Sequence, residues 1–438
     1  MDKRLITFLS ILSLFLSTLL IPANAAAKAG AKCNKAGITS VTAGKTFKCV
    51  KSGKKLVWSK GVSISINPKS VLSDPAQFSE LDKCRIKHLN PHGTSMVAGF
   101  PVVDRRVNLV KGLKAQIIGV DFPDKQATGA VNNAVNQGYV NDTENFWRNQ
   151  STNQLKFEWN WKKDWIRMPL PVKNYDLGGK FSEGKFRDQP YWSIIKNVIS
   201  LADSTVDFSG VNLILIMFPD GMTFDEVGTS LVHTQGAYTT SEGIVYNLML
   251  AGGNLTINSH WYKHEFGHVL GLTDIRDIVT LGDQRSGEMY FDVMNNNLVE
   301  DLLVWHRFLL GFLENQQIHC VTSQLESTHM IAPVEANTNK LKGVVLPLSD
   351  TTGLIIEVRR PIGWDTEIGY SKLVYGVAVR FLAGTVVYSL DTSVPYQRTP
   401  VKVVKVLKLG ESITSNGYKI SVVESGSFGD VVKVERVD

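Results

Sequence analysis

Acidic residues are missing from positions 26–60, where nine lysines stand without one aspartate or glutamate. The whole 438-residue chain carries a formal charge of +6; with +1 on residues 1–25 and +9 on 26–60, residues 61–438 are left at −4. The basic character is therefore local. It points to contact of this stretch with an anionic cell-wall polymer, or to a solvated basic tail, and excludes a chain that is basic throughout. No nucleic-acid-binding motif is present, so nucleic acid is not an expected partner. Long apolar runs are missing outside residues 5–21, which leaves no membrane span in the rest of the chain. Internal repeats and low-complexity segments are also absent, and a 43% hydrophobic composition excludes disorder.

Lys3 and Arg4, the apolar run 5–21 and then Ala23-Asn24-Ala25 form the pattern of a signal peptide, residues 1–25, rather than a retained membrane anchor, because Ala-x-Ala directly follows the run; the mature chain is then secreted or attached to the cell surface and free of the membrane. Cysteine is scarce but even in number: Cys33, Cys49, Cys84 and Cys320. In an exported chain the default is two disulfides, and the short separation of Cys33 and Cys49 favours a local bridge, leaving Cys84 with Cys320. Residues 26–61 then form a small lysine-rich hairpin module, too small to bury much core without its bridge. Pro68, Pro75, Pro91 and Pro101 and scattered Ser and Asn mark 62–108 as a linker or pro-segment.

Strands and helices alternate from 109 to 320. LKAQIIGVDFPD (113–124) and GVNLILIMFPDG (210–221) read as buried strands of a mixed sheet, KFEWNWKKDWIRM (156–168) as a half-buried strand, and YWSIIKNVISLAD (191–203) as a helix. EGIVYNLML (242–250) is predicted as an edge strand along which an extended peptide lies. From 321 to 438 short β-type runs separated by turn residues predict an all-β sandwich. The fold class expected is α+β: a catalytic-type domain with a mixed sheet, followed by that sandwich.

The chemistry concentrates in HEFGHVLGLTD, residues 264–274. A helix starting at Asn258 or Ser259 and stopped by Gly271 places His264 and His268 one turn apart on one face, where a single cation binds both imidazoles. Zn2+ is the expected ion. Glu265 can reach the attacking water without ligating the metal, and so is the candidate general base. Gly271 tolerates the positive φ of a sharp turn that brings Asp274 back as third ligand. Two imidazoles and one carboxylate leave a fourth position for water, as a catalytic site requires.

The pattern HExxHxxGxxD resembles the metzincin zinc-binding pattern, with Asp274 in place of the usual third histidine. FDVMNN is similar to the methionine turn of that clan and assigns Met294 to it. HEFGHVLGL, FDVMNN and VWHRFLLGFL (304–313) together resemble the immune inhibitor A type of secreted bacterial metallopeptidases. That likeness is specific over 258–313, looser from 109 to about 390, and implies a secreted zinc endopeptidase acting on protein or peptide substrates. Thr273 departs from the family, which often has Pro there, and the Tyr often found shortly after the Asp is missing. Residues 33–61 resemble a short cysteine-paired module of secreted actinobacterial proteins.

Several assignments compete. Glu288 lies at a distance suited to a thermolysin-like third ligand, although its surroundings read as loop. Tyr290, Asn295 and His260 are candidates for oxyanion or substrate contacts, against ordinary structural roles. His306 and Arg307 read as packing residues. Cys84 is weighed as a pro-segment thiolate on the metal against its disulfide with Cys320. A non-catalytic surface or cell-wall binding protein on a metallopeptidase scaffold is the alternative to the enzyme.

Overall fold

A computed structural model of the chain describes residues 27–33, 36, 39–42, 45–63, 67–89, 96–102, 112–175, 177, 189–228, 231–233, 236–251, 258–275, 292–295, 301–365, 371–374, 377–380, 383–394 and 399–437. The expected signal peptide, residues 1–25, lies outside them. The fold is mixed α+β, with many strands and few helices, and the chain separates into Met1–Ile66 and Asn67–Asp438.

In the first unit β1 (Thr39–Thr42), β2 (Lys45–Ser52) and β3 (Lys55–Trp58) form an antiparallel sheet, and β4 (Val62–Ser63) pairs with β2. Cys33 and Cys49 are disulfide-bonded across a separation of 16 residues. Cys49 and Phe47 are buried, while Lys28, Lys32, Lys45, Lys48, Lys51, Lys54, Lys55 and Lys60 are all exposed. The small core and the bridge hold the sheet, and the lysines cover it.

The second unit begins with a six-stranded sheet. Its strands are β5 (Leu113–Asp121), β6 (Phe157–Trp161), β7 (Ile166–Arg167), β8 (Leu213–Met217), β9 (Leu231–His233) and β12 (Asn247–Leu250); a separate hairpin, β10 (Tyr238–Thr240) and β11 (Gly243–Val245), precedes β12. The order is β6-β5-β8-β12-β9, with β7 paired to β5. All pairings are parallel except β12 with β9. β8 is buried at every position because both faces of a mostly parallel sheet are covered. One face carries α2 (Gln189–Ala202), with Ile194, Ile195 and Val198 in the core with Ile214 and Ile216. The other carries α1 (Ala134–Gln150) and α4 (Asn258–Leu270), with Trp147 and Phe266 in the core with Leu213 and Leu215. A single helical turn, α3 (Phe224–Val227), lies between β8 and β9 in the chain. The expected edge strand is corrected here. Residues 243–245 belong to the hairpin, and β12 is internal, because β9 adds antiparallel to its outer side.

Beyond α5 (Val304–Leu309) the chain forms two further sheets. β13 (Ile318–Cys320), β15 (Gly343–Pro347), β16 (Thr352–Arg359), β19 (Gly384–Asp391) and β20 (Val401–Leu407) are ordered β13-β15-β16-β19-β20. β14 (Glu326–Ile331), β23 (Gly429–Arg436), β22 (Tyr418–Gly426) and β21 (Ser412–Ser415) form the other, and β17 (Ser371–Val374) pairs with β18 (Val377–Arg380) alone. Ile356, Val358 and Val387 share one core with Ile420, Val432 and Val434 of the second sheet. On the alternate positions, Ile355, Val386 and Tyr388 join the core around Trp305. The alternation of a strand buried on both faces thus joins residues 321–438 to the α/β part. The stretch expected as a linker or pro-segment contributes Leu81, Cys84, Ile86 and Val97 to the same core, and Cys84 is disulfide-bonded to Cys320.

Candidate metal centre

α4 is buried at every residue from Tyr262 to Leu270, packed on α1 through Trp147, whose Nε1 donates to Lys263 O (3.1 Å), and through the Tyr139 and Tyr262 rings. It ends in a Schellman turn: Leu272 N–H donates to Gly267 O and Gly271 N–H to His268 O, both at 3.0 Å. Gly271 has φ 109°, a conformation that side chains disfavour, so glycine is what permits the chain to reverse here. Three residues later Asp274 faces the helix.

The two imidazoles lie with ring centroids 4.9 Å apart. His264 Nδ1 donates to Val293 O and His268 Nδ1 donates to Leu272 O, each at 2.8 Å. A carbonyl only accepts, so each ring carries its proton on Nδ1, and in the neutral ring Nε2 presents a lone pair. Both Nε2 atoms face the same carboxylate oxygen: Asp274 Oδ1 is 3.1 Å from that of His264 and 3.8 Å from that of His268. Neutral imidazole lone pairs and a carboxylate oxygen repel one another at such distances unless a metal ion, or a proton that makes one ring an imidazolium, sits among them. Donors about 2.1 Å from a tetrahedral zinc are about 3.4 Å apart, a value between the 3.1 and 3.8 Å from Asp274 Oδ1 to the two rings. The residues therefore fit a divalent ion, and the carbonyls that fix the tautomers are the outer contacts such sites use.

Met294 packs against the helix at Gly267. A Cβ on Gly267 would lie 2.2 Å from Met294 Sδ, so the sulfur packs directly on the helix backbone between the two histidines in sequence. The turn holding it is organised by Asp292, which sequence reading passed over. Asp292 Oδ1 accepts from Met294 N–H (2.7 Å), and Oδ2 accepts from Leu303 N–H (2.6 Å) and His306 Nδ1 (2.8 Å). Burial alone would raise the Asp292 carboxyl; the neighbouring His306 and the two N–H groups outweigh it and hold the carboxyl below its usual range. The only hint of this in the sequence is an acid two residues before the methionine, with a histidine on the following helix.

Of the other candidates, Glu265 is buried next to His264, and Asn295 closes the turn around Met294 by donating its N–H to Asp292 O at 3.0 Å. His260 lies in the first turn of α4, its side chain outside the described residues, as are Tyr290 and the rival ligand Glu288. Cys84 is consumed by its disulfide. A second group of carboxylates, Asp301, Glu335 and Asp365, is also close enough to share an ion. There the protein supplies its own cations: Arg359 Nη1 donates to Asp365 Oδ2 (2.7 Å) and Arg307 Nη2 to Asp301 Oδ1 (3.1 Å).

Compared with known proteins, the chain matches no family model, and no curated protein is found to be similar.

Proposed function

We propose that the protein is a secreted zinc-dependent endopeptidase of metzincin type, related to the immune inhibitor A metallopeptidases, with a β-sandwich following its catalytic domain. The observation that carries this is the convergence of two tautomer-fixed imidazoles on Asp274 Oδ1. A divalent ion held there supplies Lewis acidity and brings the pKa of water to about 7. Glu265 takes the proton of the attacking water and delivers it to the leaving amine. β9, the terminal strand of its sheet among the described residues, offers the backbone edge along which an extended peptide aligns. Domain limits follow as signal peptide 1–25, lysine-rich module 26–61, connecting segment 62–108, catalytic part 109–320 and sandwich 321–438. Eight exposed lysines on the module, with no acidic residue among them, suit an anionic wall polymer.

Glu265→Gln is the test. Casein hydrolysis by the purified protein is expected, abolished by a chelator and reduced about 10²- to 10⁴-fold by the substitution while zinc content is unchanged. A zinc-loaded wild type that leaves every protein substrate intact refutes the enzyme and favours a wall-binding protein on a peptidase scaffold.

A further inference from the structure

The turn carrying Asp274 is held by backbone groups on both sides. After it, Ile275 N–H donates to Met294 O (3.1 Å). Before it, Val97 N–H donates to Gly271 O (2.8 Å) and Thr273 N–H donates to Val97 O (3.3 Å). The Leu272 carbonyl between those two bonds is the one that accepts His268 Nδ1. A single residue from far upstream thus brackets the group that orients one ligand and leads into another.

Val97 is itself anchored. Ala98 O accepts Trp305 Nε1 (2.7 Å), and Ala98 N–H donates to His88 Nδ1 (3.3 Å). Phe100 N–H donates to Ile86 O and His88 N–H to Phe100 O, both at 2.8 Å. A Cβ on Gly99 would meet Ile86 O at 2.6 Å, so the two runs are in backbone contact. Two residues before Ile86, Cys84 is bonded to Cys320, 236 residues away in sequence.

We propose that residues 84–89 and 96–102 are a permanent positioning element of the metal centre, in which the Val97 backbone holds residues 271–274 in register and the Cys84 disulfide anchors it. The inference rests on the metal reading of His264, His268 and Asp274. It carries a consequence for maturation: any processing beyond the signal peptide cuts before Cys84, and the segment is not a removable inhibitor.

The test measures zinc affinity by chelator competition on wild type, Val97→Ala, Val97→Pro and the double variant Cys84→Ser/Cys320→Ser, with circular dichroism as the check on folding. Val97→Ala keeps the N–H and controls for lost side-chain packing, and its affinity is expected to fall less than that of Val97→Pro. Val97→Pro removes it and is expected to bind about tenfold or more weakly, as loss of an outer contact does; the double variant is expected to bind more weakly in the same direction. Should Val97→Pro fail to fold, amide exchange in the metal-free wild type decides, with slow exchange expected at Val97 and Thr273. Folded Val97→Pro with wild-type affinity, fast exchange at both amides, or a secreted metal-loaded protein beginning after Val102 overturns the proposal. Wild type that binds no zinc overturns the metal reading itself, which is a separate result.

Discussion

Gly267→Ala, between Phe266 and His268, sets two effects against each other. In an open helix interior alanine is better than glycine by about 1 kcal/mol. Here the added Cβ would lie 2.2 Å from Met294 Sδ, 3.1 Å from Met294 Cε and 3.4 Å from Trp147 Cζ2. Comfortable contact needs about 3.7 Å, so the sulfur must retreat by about 1.5 Å. Met294, Val293 and Trp147 are all fully buried, and close-packed interiors give little way; overpacking of this kind costs about 1–3 kcal/mol. The strain offsets the propensity gain and leaves a net loss of up to about 2 kcal/mol. Because Val293 O orients His264, zinc affinity falls with it. Met294→Ala alone opens a cavity costing about 2–5 kcal/mol. In the double variant the new methyl occupies part of that space, so the combined loss is smaller than the sum by about 1 kcal/mol or more. Urea unfolding of the four proteins, metal-free and zinc-loaded, reads these values. Stabilisation by Gly267→Ala, or strict additivity in the cycle, refutes the close packing of sulfur on the helix.

Two further predictions concern buried charge. His319 and His329 share a hydrogen bond (2.9 Å) beneath Phe78; burial lowers His319 to about 4, and burial followed by the charge of His319 lowers His329 to about 3. Unfolded histidines titrate near 6.5, so between that pH and about 4 the unfolded chain binds protons that the folded one refuses. Stability from this pair is intact above about 6.5 and falls by about 4 kcal/mol by pH 5; His329→Gln, followed by denaturant unfolding across pH, should remove about half of that slope, and an unchanged slope contradicts it. Around Arg359, burial and the neighbouring Asp365 push Glu335 well above the usual carboxylate range and toward its neutral form. Glu335→Gln should cost less than about 1 kcal/mol, whereas Arg359→Met strands Glu357 and Asp365 and should cost about 3–5 kcal/mol. Equal losses in urea melts contradict that division.

How much of this was legible beforehand varies with the range over which each residue acts. Local signals read well: the i, i+4 histidines, the positive φ at Gly271 and the fully apolar β8 each depend on a few neighbouring residues. Pairing between distant segments left no such mark. β12 looked like an edge because nothing in EGIVYNLML announces that the short Leu231–His233 strand adds to it. Residues 81–102 looked like a linker because their prolines and polar residues are visible, while their backbone bonds to 271–273 are not. Asp292 was invisible for a related reason, since its worth lies in bonds to Met294, Leu303 and His306 rather than in its own neighbourhood. Glu357 and Arg359 interrupt the apolar run of β16 because each finds partners in the core, one another and, in turn, Tyr388 and Asp365.

Metal content of the purified protein, by elemental analysis after dialysis, addresses most directly whether His264, His268 and Asp274 share one divalent ion. Wild type should hold about one equivalent of zinc, and Asp274→Ala, still folded by circular dichroism, should lose most of it. Folded wild type that takes up no zinc at saturating concentration would mean that Asp274 merely pairs with a protonated histidine, and Asp274→Ala with undiminished zinc would assign the third ligand elsewhere.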